Sequence, residues 1–468
     1  MADQTLTHRT VDQRVVEGRM ARSATPRSSH ARWDPPAARV DPVRLLQDQD
    51  ATRLADLVPI RHARMLESPF SFFRGAAAVM AGDLASTPRS GLDVQLCGDA
   101  HIANFGGFAS PDRDLIFSIS DFDETLPGSW EWDVKRLAAS IAVAGRECGF
   151  GDKARRSGVL GTVRQYRDAM REFAGQGDLA VWYARLDADG MLERARAQAT
   201  PKTVRSVRRS VAKARGRDHV AAFSKLTHDV DGEPRIVSDP PMIVPIEELL
   251  RGQQESPPEQ IFEAILSLYR DSLPGERRHL VDRFRYAHIA RKVVGVGSVG
   301  TRDWIVLLLG RDGNDPLFLQ VKEASPSVLA PHCAPSAYDN QGQRVVEGQR
   351  LMQAASDIFL GWFRAEGLED GVTRDFYVRQ LWDWKMKAEI ERMSPDEMAF
   401  YGRACGWTLA RAHARSGDRV SIAAYLGSSD TFAAAIAEFA ETYADQNERD
   451  YAALHKAVAD GRLVSHAP

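Results

Sequence analysis

The sequence predicts an α+β fold of two lobes with helical additions, and three observations carry that prediction. Apolar residues recur at helical intervals through most of the 468-residue chain, which at 44% hydrophobic content can build a core larger than one lobe. Two strand-like runs, Val94–Cys97 and Leu115–Ile119, each end at a carboxylate, Asp99 and Asp121. A glycine-rich segment, Lys292–Ala324, reads as loop, strand, turn and strand, which is a hairpin and not a βα unit.

In chain order, residues 1–41 are rich in Arg, Thr, Ser and Pro without sustained periodicity, which predicts a disordered or surface-draped arm. Residues 42–290 predict a helical lobe containing the two carboxylate motifs. In it FSFFRGAAAVMAGDLA spaces Phe73, Ala76, Met80 and Leu84 as a helix. The segment DVKRLAASIAVAGREC places Val134, Leu137, Ile141 and Ala144 on one helical face, with Asp133 as its expected N-cap. The basic run TPKTVRSVRRSVAKARGR reads as a solvated helix face, and Gln260–Ile289 as two helices parted at Pro274–Gly275. Residues 291–385 predict a small strand-rich lobe with one helix, and residues 386–468 predict helices packing back on the larger lobe.

Charge and composition exclude several classes. Lys plus Arg is 61 against 64 for Asp plus Glu, so the net charge of -3 makes no general case for nucleic acid or an anionic membrane as partner. No run of about eighteen apolar residues exists, which predicts a soluble, cytoplasmic chain. The four cysteines show no CxxC spacing, so neither a disulfide framework nor a zinc site is expected.

The densest chemistry lies in Val94–Trp132. Two strands that each end in a carboxylate, with Asn104 between them, can gather oxygen ligands for a hard cation such as magnesium. Asp and Asn also form turns, so either cluster alone reads equally well as a loop. Arg74, just before this stretch, is read first as a member of a structural ion pair, with pairing to phosphate as the alternative role.

The second informative stretch has Gly295, Gly297 and Gly300 in G-x-G-x-x-G spacing, with Ser298 inside the loop. A glycine loop closing onto a hairpin whose second strand carries a lysine, here Lys322, matches the phosphate-covering arrangement of protein kinases. The helix of GQRVVEGQRLMQ follows. Glu347 stands off its apolar stripe, where it would pair either with Lys322 or with Arg350 one turn on.

From about Arg61 to Gly461 the chain resembles the bacterial family catalogued as domain of unknown function 2252, in the blocks SPFSFFRG, CGDAHIANFG, DFDETLPGSWEWDVKRL, VVGVGSVGTR, QVKEA, RVVEGQRLMQ and CGWTLARAHARSGD. Within these blocks it is also similar to the protein-kinase-like fold, in its aminoglycoside- and choline-kinase branch. The G-D-x-H-x-x-N catalytic loop of that branch is matched by Gly98, Asp99, His101 and Asn104. That resemblance implies ATP and magnesium as cofactors, with Asp99 as base and Asn104 and Asp121 on the metal. Asp123 or Glu124 would replace or support Asp121, and Asp133 would brace the loop. It further implies nucleotide phosphates under Gly295, Gly297, Ser298 and Gly300, held by Lys322 with Glu347. His101 and Arg74 would be supporting residues. The motif order departs from that of kinases, because the glycine loop and lysine follow the catalytic loop. The resemblance therefore implies a circularly permuted kinase-like fold, with LARAHARSG as the helix that leads into the catalytic loop.

The expected function is an ATP- and magnesium-dependent phosphotransferase acting on an unknown hydroxyl acceptor, a small molecule or a protein side chain, with transfer of AMP left open. A catalytically silent nucleotide sensor on the same fold is the alternative. A metal-dependent phosphoesterase, from the D-x-H pattern, lacks the Asn-His block such enzymes use.

Overall fold

The computed structural model describes residues 8–216, 219–249, 258–293, 295–366, 370–381 and 383–466. The chain is α+β. Its strands are β1 (Asp93–Leu96), β2 (Phe105–Ala109), β3 (Leu115–Ile119), β4 (Leu126–Ser129), β5 (Leu186–Asp187), β6 (Thr227–Val230), β7 (Glu233–Ile236), β8 (Ile243–Pro245), β9 (Arg285–Lys292), β10 (Asp303–Leu309), β11 (Pro316–Glu323), β12 (Gly361–Glu366) and β13 (Thr373–Gln380).

The largest core belongs to the helical part, where helices Glu131–Glu147, Asp152–Ala174, Pro395–Ser416 and Thr431–Ala459 bury a continuous set of apolar side chains. The Pro395–Ser416 helix starts in a capping box, Ser394 with Glu397, and lies close against the Asp152–Ala174 helix. That approach requires glycine, since a Cβ at Gly406 would stand 2.4 Å from the Thr162 carbonyl. Trp130 stacks on Tyr166 at 5.6 Å inside the same core.

Six strands form one antiparallel sheet in the order β12-β13-β11-β10-β9-β8. The sheet is sided by alternation: Val306, Leu308, Leu319 and Val321 pack under Phe262 and Tyr269 of the helix Pro258–Asp271. Residues 303, 305, 307, 318, 320 and 322 point to the other face. There Ala290, Ile305, Leu307, Phe318 and Leu381 are covered by Ala222, Leu226 and Ile236. The helix Gln341–Met352 connects β11 to β12.

Several sequence expectations need correction. Within the segment read as a disordered or surface-draped arm, residues 1–7 lie outside the described residues. From Thr10 onward it folds, with helix Val11–Ala24 capped by Thr10 and Gln13. Its anchor is a close crossing: a Cβ at Gly18 would meet the Ser421 carbonyl at 2.1 Å. His30 is fully buried on Tyr425 at 2.7 Å. Composition hid this because the helix is polar and its binding partner lies at the far end of the chain. The helix expected through Ile289 ends at Val281, and β9 takes over because β10 supplies its hydrogen bonds. The end of the chain forms the helices Arg419–Leu426 and Thr431–Ala459, parted at Gly427 with φ +64°. Asp133 is not an N-cap: the helix begins at Glu131, and the Asp133 carboxylate faces inward.

The four cysteines are free, Cys97 and Cys405 buried and the other two half-buried. Among the described residues no single helix is long and apolar enough to cross a membrane.

Candidate functional site

Asp99 follows β1 across a tight bend at Gly98, whose φ of +85° and close approach to Glu124 exclude a side chain: a Cβ there would meet the Glu124 carbonyl at 2.2 Å. The bend is held from behind. The Asp133 carboxylate accepts the N–H groups of Cys97 at 2.8 Å and Gly98 at 3.1 Å, and lies 3.2 Å from His413 Nε2. His413 belongs to the last turns of the Pro395–Ser416 helix, and the end of that helix abuts β1, with Ser416 Oγ accepting from the Gln95 N–H at 3.2 Å.

Asp99 itself is gripped by Arg136, whose Nε donates to Oδ1 at 2.8 Å while Nη2 donates to the Phe73 carbonyl at 2.7 Å. Burial raises the Asp99 carboxyl and Arg136 pulls it back, leaving it above its ordinary value. The side chain keeps 18% exposure, so a hydroxyl can reach it. Asn104 Nδ2 donates to the Asp99 carbonyl at 2.9 Å, which leaves its side-chain oxygen as an acceptor. His101 Nε2 lies 3.6 Å from Asp99 Oδ2; burial and the neighbouring Arg136 hold the imidazole well below its ordinary pKa, so it is neutral.

β2 and β3 form a hairpin that carries the chain from Asn104 to Asp121. Asp121 Oδ1 accepts the Asp123 N–H at 3.2 Å. Burial raises the Asp121 carboxyl, and Asp123 adds to the effect. Asp123 points the other way, into the small sheet: Lys322 Nζ lies 2.5 Å from its Oδ2 and Tyr377 donates to its Oδ1. Burial would raise that carboxyl too, yet Lys322 and the Tyr377 hydroxyl outweigh it and hold it below the ordinary value. Burial also opposes the Lys322 ammonium, but Asp123 leads the set of anionic neighbours that keep it charged. Asp303, paired across the hairpin with Lys322, is 2% exposed and neither of its oxygens has a hydrogen-bond partner among the described residues. Burial lifts its carboxyl to about 8.

The glycine loop joins β9 to β10. Gly300 has φ +91°, its carbonyl accepts the Leu54 N–H at 2.8 Å, and Arg53 donates to the Val299 carbonyl. The N-terminal helices therefore clasp the loop. A cavity of 460 Å³ is lined by Asp99, Asp121, Asp123, Glu124, Gly297, Ser298, Arg53 and Arg74. Gly297 and Ser298 of the glycine loop thus share one cavity with Asp99, Asp121 and Asp123, whereas Asn104, His101, Gly295, Gly300, Lys322 and Glu347 are not among the residues that line it.

The structure decides two pairings that the sequence left open. Glu347 bonds Arg350 at 2.9 Å on its own helix and is not the partner of Lys322. Asp123, in the loop that follows β3, holds that place. Arg74 forms no structural ion pair among the described residues, and its buried Nε lacks a hydrogen-bond partner. Sequence reasoning also missed Arg136, Asp303, Tyr377 and Arg344. Arg344 donates to the carbonyls of Thr125 at 2.7 Å and of Asp123 and Ser325 at 2.9 Å. Asp303 was within reach of hairpin counting, since the turn between Leu309 and Pro316 fixes Asp303 opposite Lys322. Tyr377 carries no such signal, because a separate strand brings it in.

Among the described residues no group of three or more His, Cys, Asp or Glu side chains is arranged to hold a metal ion. A single magnesium, which keeps waters and takes phosphate oxygens beside one or two carboxylates, is compatible with Asp121 and the Asn104 oxygen.

The chain belongs to the family described as "Uncharacterized protein conserved in bacteria (DUF2252)", which matches residues 53–457. No curated protein and no solved structure matches it.

Proposed function

We propose that this member of the family is an ATP- and magnesium-dependent phosphotransferase, on a two-lobed protein-kinase-like fold whose chain is circularly permuted. The observation that carries the reading is the shared cavity: Asp99 and Asp121 meet Gly297 and Ser298 there, and Lys322 bonds Asp123 of the same lining at 2.5 Å. The succession β9, glycine loop, β10, β11 with its lysine, helix, β12 and β13 supports it, because kinases place loop, lysine and helix in that order. The contact of Ser416 with Gln95 supports the permutation, since the helix that would lead into the catalytic loop ends at the first strand of that loop.

In this reading Asp99 accepts the proton of the acceptor hydroxyl, with Arg136 fixing its orientation. The acceptor oxygen bonds to phosphorus as the bond to the nucleoside diphosphate breaks, and the leaving diphosphate keeps the electron pair. Asn104 and Asp121 would hold magnesium, which supplies positive charge to the transferring group. Lys322 would exchange part of its contact with Asp123 for phosphate oxygens beneath the glycine loop.

The test is turnover beside affinity. Asp99→Asn keeps the shape and removes the proton acceptor, so MgATP affinity should survive while transfer falls by about two to four orders of magnitude. Product analysis separates phosphoryl from AMP transfer. Equal turnover by wild type and variant would remove Asp99 as base.

One observation favours the silent sensor as second reading. Lys322 is engaged by Asp123 and Tyr377, and the face of the sheet beside it is covered by Ala222, Leu226 and Ile236. MgATP binding without turnover, with acceptors supplied, would select it.

A further inference from the structure

Charge in the 460 Å³ cavity is balanced almost everywhere. Asp99 is paired with Arg136, Asp123 with Lys322, and Glu323 with Arg302 at 3.3 Å and Arg374 at 3.5 Å. Glu124 accepts the Val328 N–H at 2.7 Å, and burial lifts its carboxyl to about 7. Asp121 remains for a cation. On the cationic side neither Arg53 nor Arg74 has an ion pair among the described residues and the buried Nε of each is unpartnered, but Arg53 donates to the Val299 carbonyl while no such bond holds Arg74.

Arg74 ends the helix Pro69–Gly75, directly after Phe73, whose carbonyl is held by the same Arg136 that grips Asp99. Its own carbonyl lies under the glycine loop, 3.6 Å from where a Cβ at Gly297 would stand. The Arg74 side chain lines the cavity that Asp99 and Gly297 share, and its charge bears on the Asp99 carboxyl. Lys387 adds to the same field, since both Arg74 and Lys387 bear on His101. An unpaired guanidinium on a sheltered wall is matched by a planar or tetrahedral oxyanion that it can bind in two-pronged fashion. The far wall is built by Leu45, Gln49, Ala77 and Ala78, from helices that precede the catalytic segment. That enclosure and volume suit a small molecule.

We propose that the acceptor in the phosphotransfer reading is a small alcohol bearing a phosphate or carboxylate, and that Arg74 binds this anionic group. This inference rests on that reading. It goes beyond it in naming an anionic acceptor, and so disfavours amino sugars, whose ammonium groups Arg74 repels.

The experiment is calorimetric titration of the full chain with inorganic phosphate, without nucleotide, and separately with MgATP. Phosphate should bind the wild type and lose at least tenfold in affinity in Arg74→Gln, with part restored in Arg74→Lys. MgATP affinity should change less than threefold in Arg74→Gln. Phosphate binding that ignores Arg74→Gln overturns the proposal. So does an equal loss of MgATP affinity, since the anion would then be the nucleotide's own phosphate. A wild type that binds phosphate through Arg74 but binds no MgATP supports the oxyanion site and overturns the phosphotransfer reading.

Discussion

Asp303→Asn should stabilise the protein, and increasingly so as pH rises. The carboxyl is 2% exposed, has no hydrogen-bond partner among the described residues, and is lifted from 3.8 to about 8, chiefly by burial. An acid raised on folding holds a proton in the native state that the unfolded state has released, so its contribution to stability is full below 3.8 and is lost as pH rises through about 8. At about 1.36 kcal/mol per pH unit, the stretch from 3.8 to neutral pH removes about 4 kcal/mol in the wild type. The amide has the same shape and no proton to lose. Allowing for relaxation around the site, the variant should gain about 2 kcal/mol or more at pH 7 and slightly more at pH 9, converging on the wild type near pH 4. Thermal and urea unfolding at pH 4, 5, 7 and 9 read the difference directly. Parallel stability profiles from pH 5 to 9, or a variant weaker than wild type at pH 9, would refute the reasoning.

Gly98→Ala should lower stability by about 2–4 kcal/mol, because the left-handed backbone and the Glu124 carbonyl 2.2 Å away leave no room; an unchanged melting temperature would contradict the bend. Gly18→Val should release the N-terminal helix from Ser421, lowering stability by about 1–3 kcal/mol and opening that segment to limited proteolysis. The exposed Val11→Ala serves as a control that leaves both measurements unchanged. Glu347→Gln should shift MgATP affinity less than twofold, since Glu347 pairs with Arg350; a tenfold loss would restore it as partner of Lys322.

The local chemistry is legible in the order of residues. Strand-ended carboxylates at Asp99 and Asp121, the bend at Gly98, the glycine loop before a hairpin and the lysine on its second strand all depend on near neighbours: alternation, turn residues and hairpin counting. What only the tertiary structure decided is which of these groups meet. Asp123 and not Glu347 takes Lys322, a relation between segments with no shared periodicity. Arg136 grips Asp99 because one helix turn carries it past Asp133, and Tyr377 joins through the pairing of β13 with β11. The N-terminal helices contain little that is apolar and read as loose, yet close backbone contacts at Gly18 and Gly300 pin them to the C-terminal helices and the glycine loop. Such contacts are made by backbone at a distance along the chain, where composition carries no trace of them.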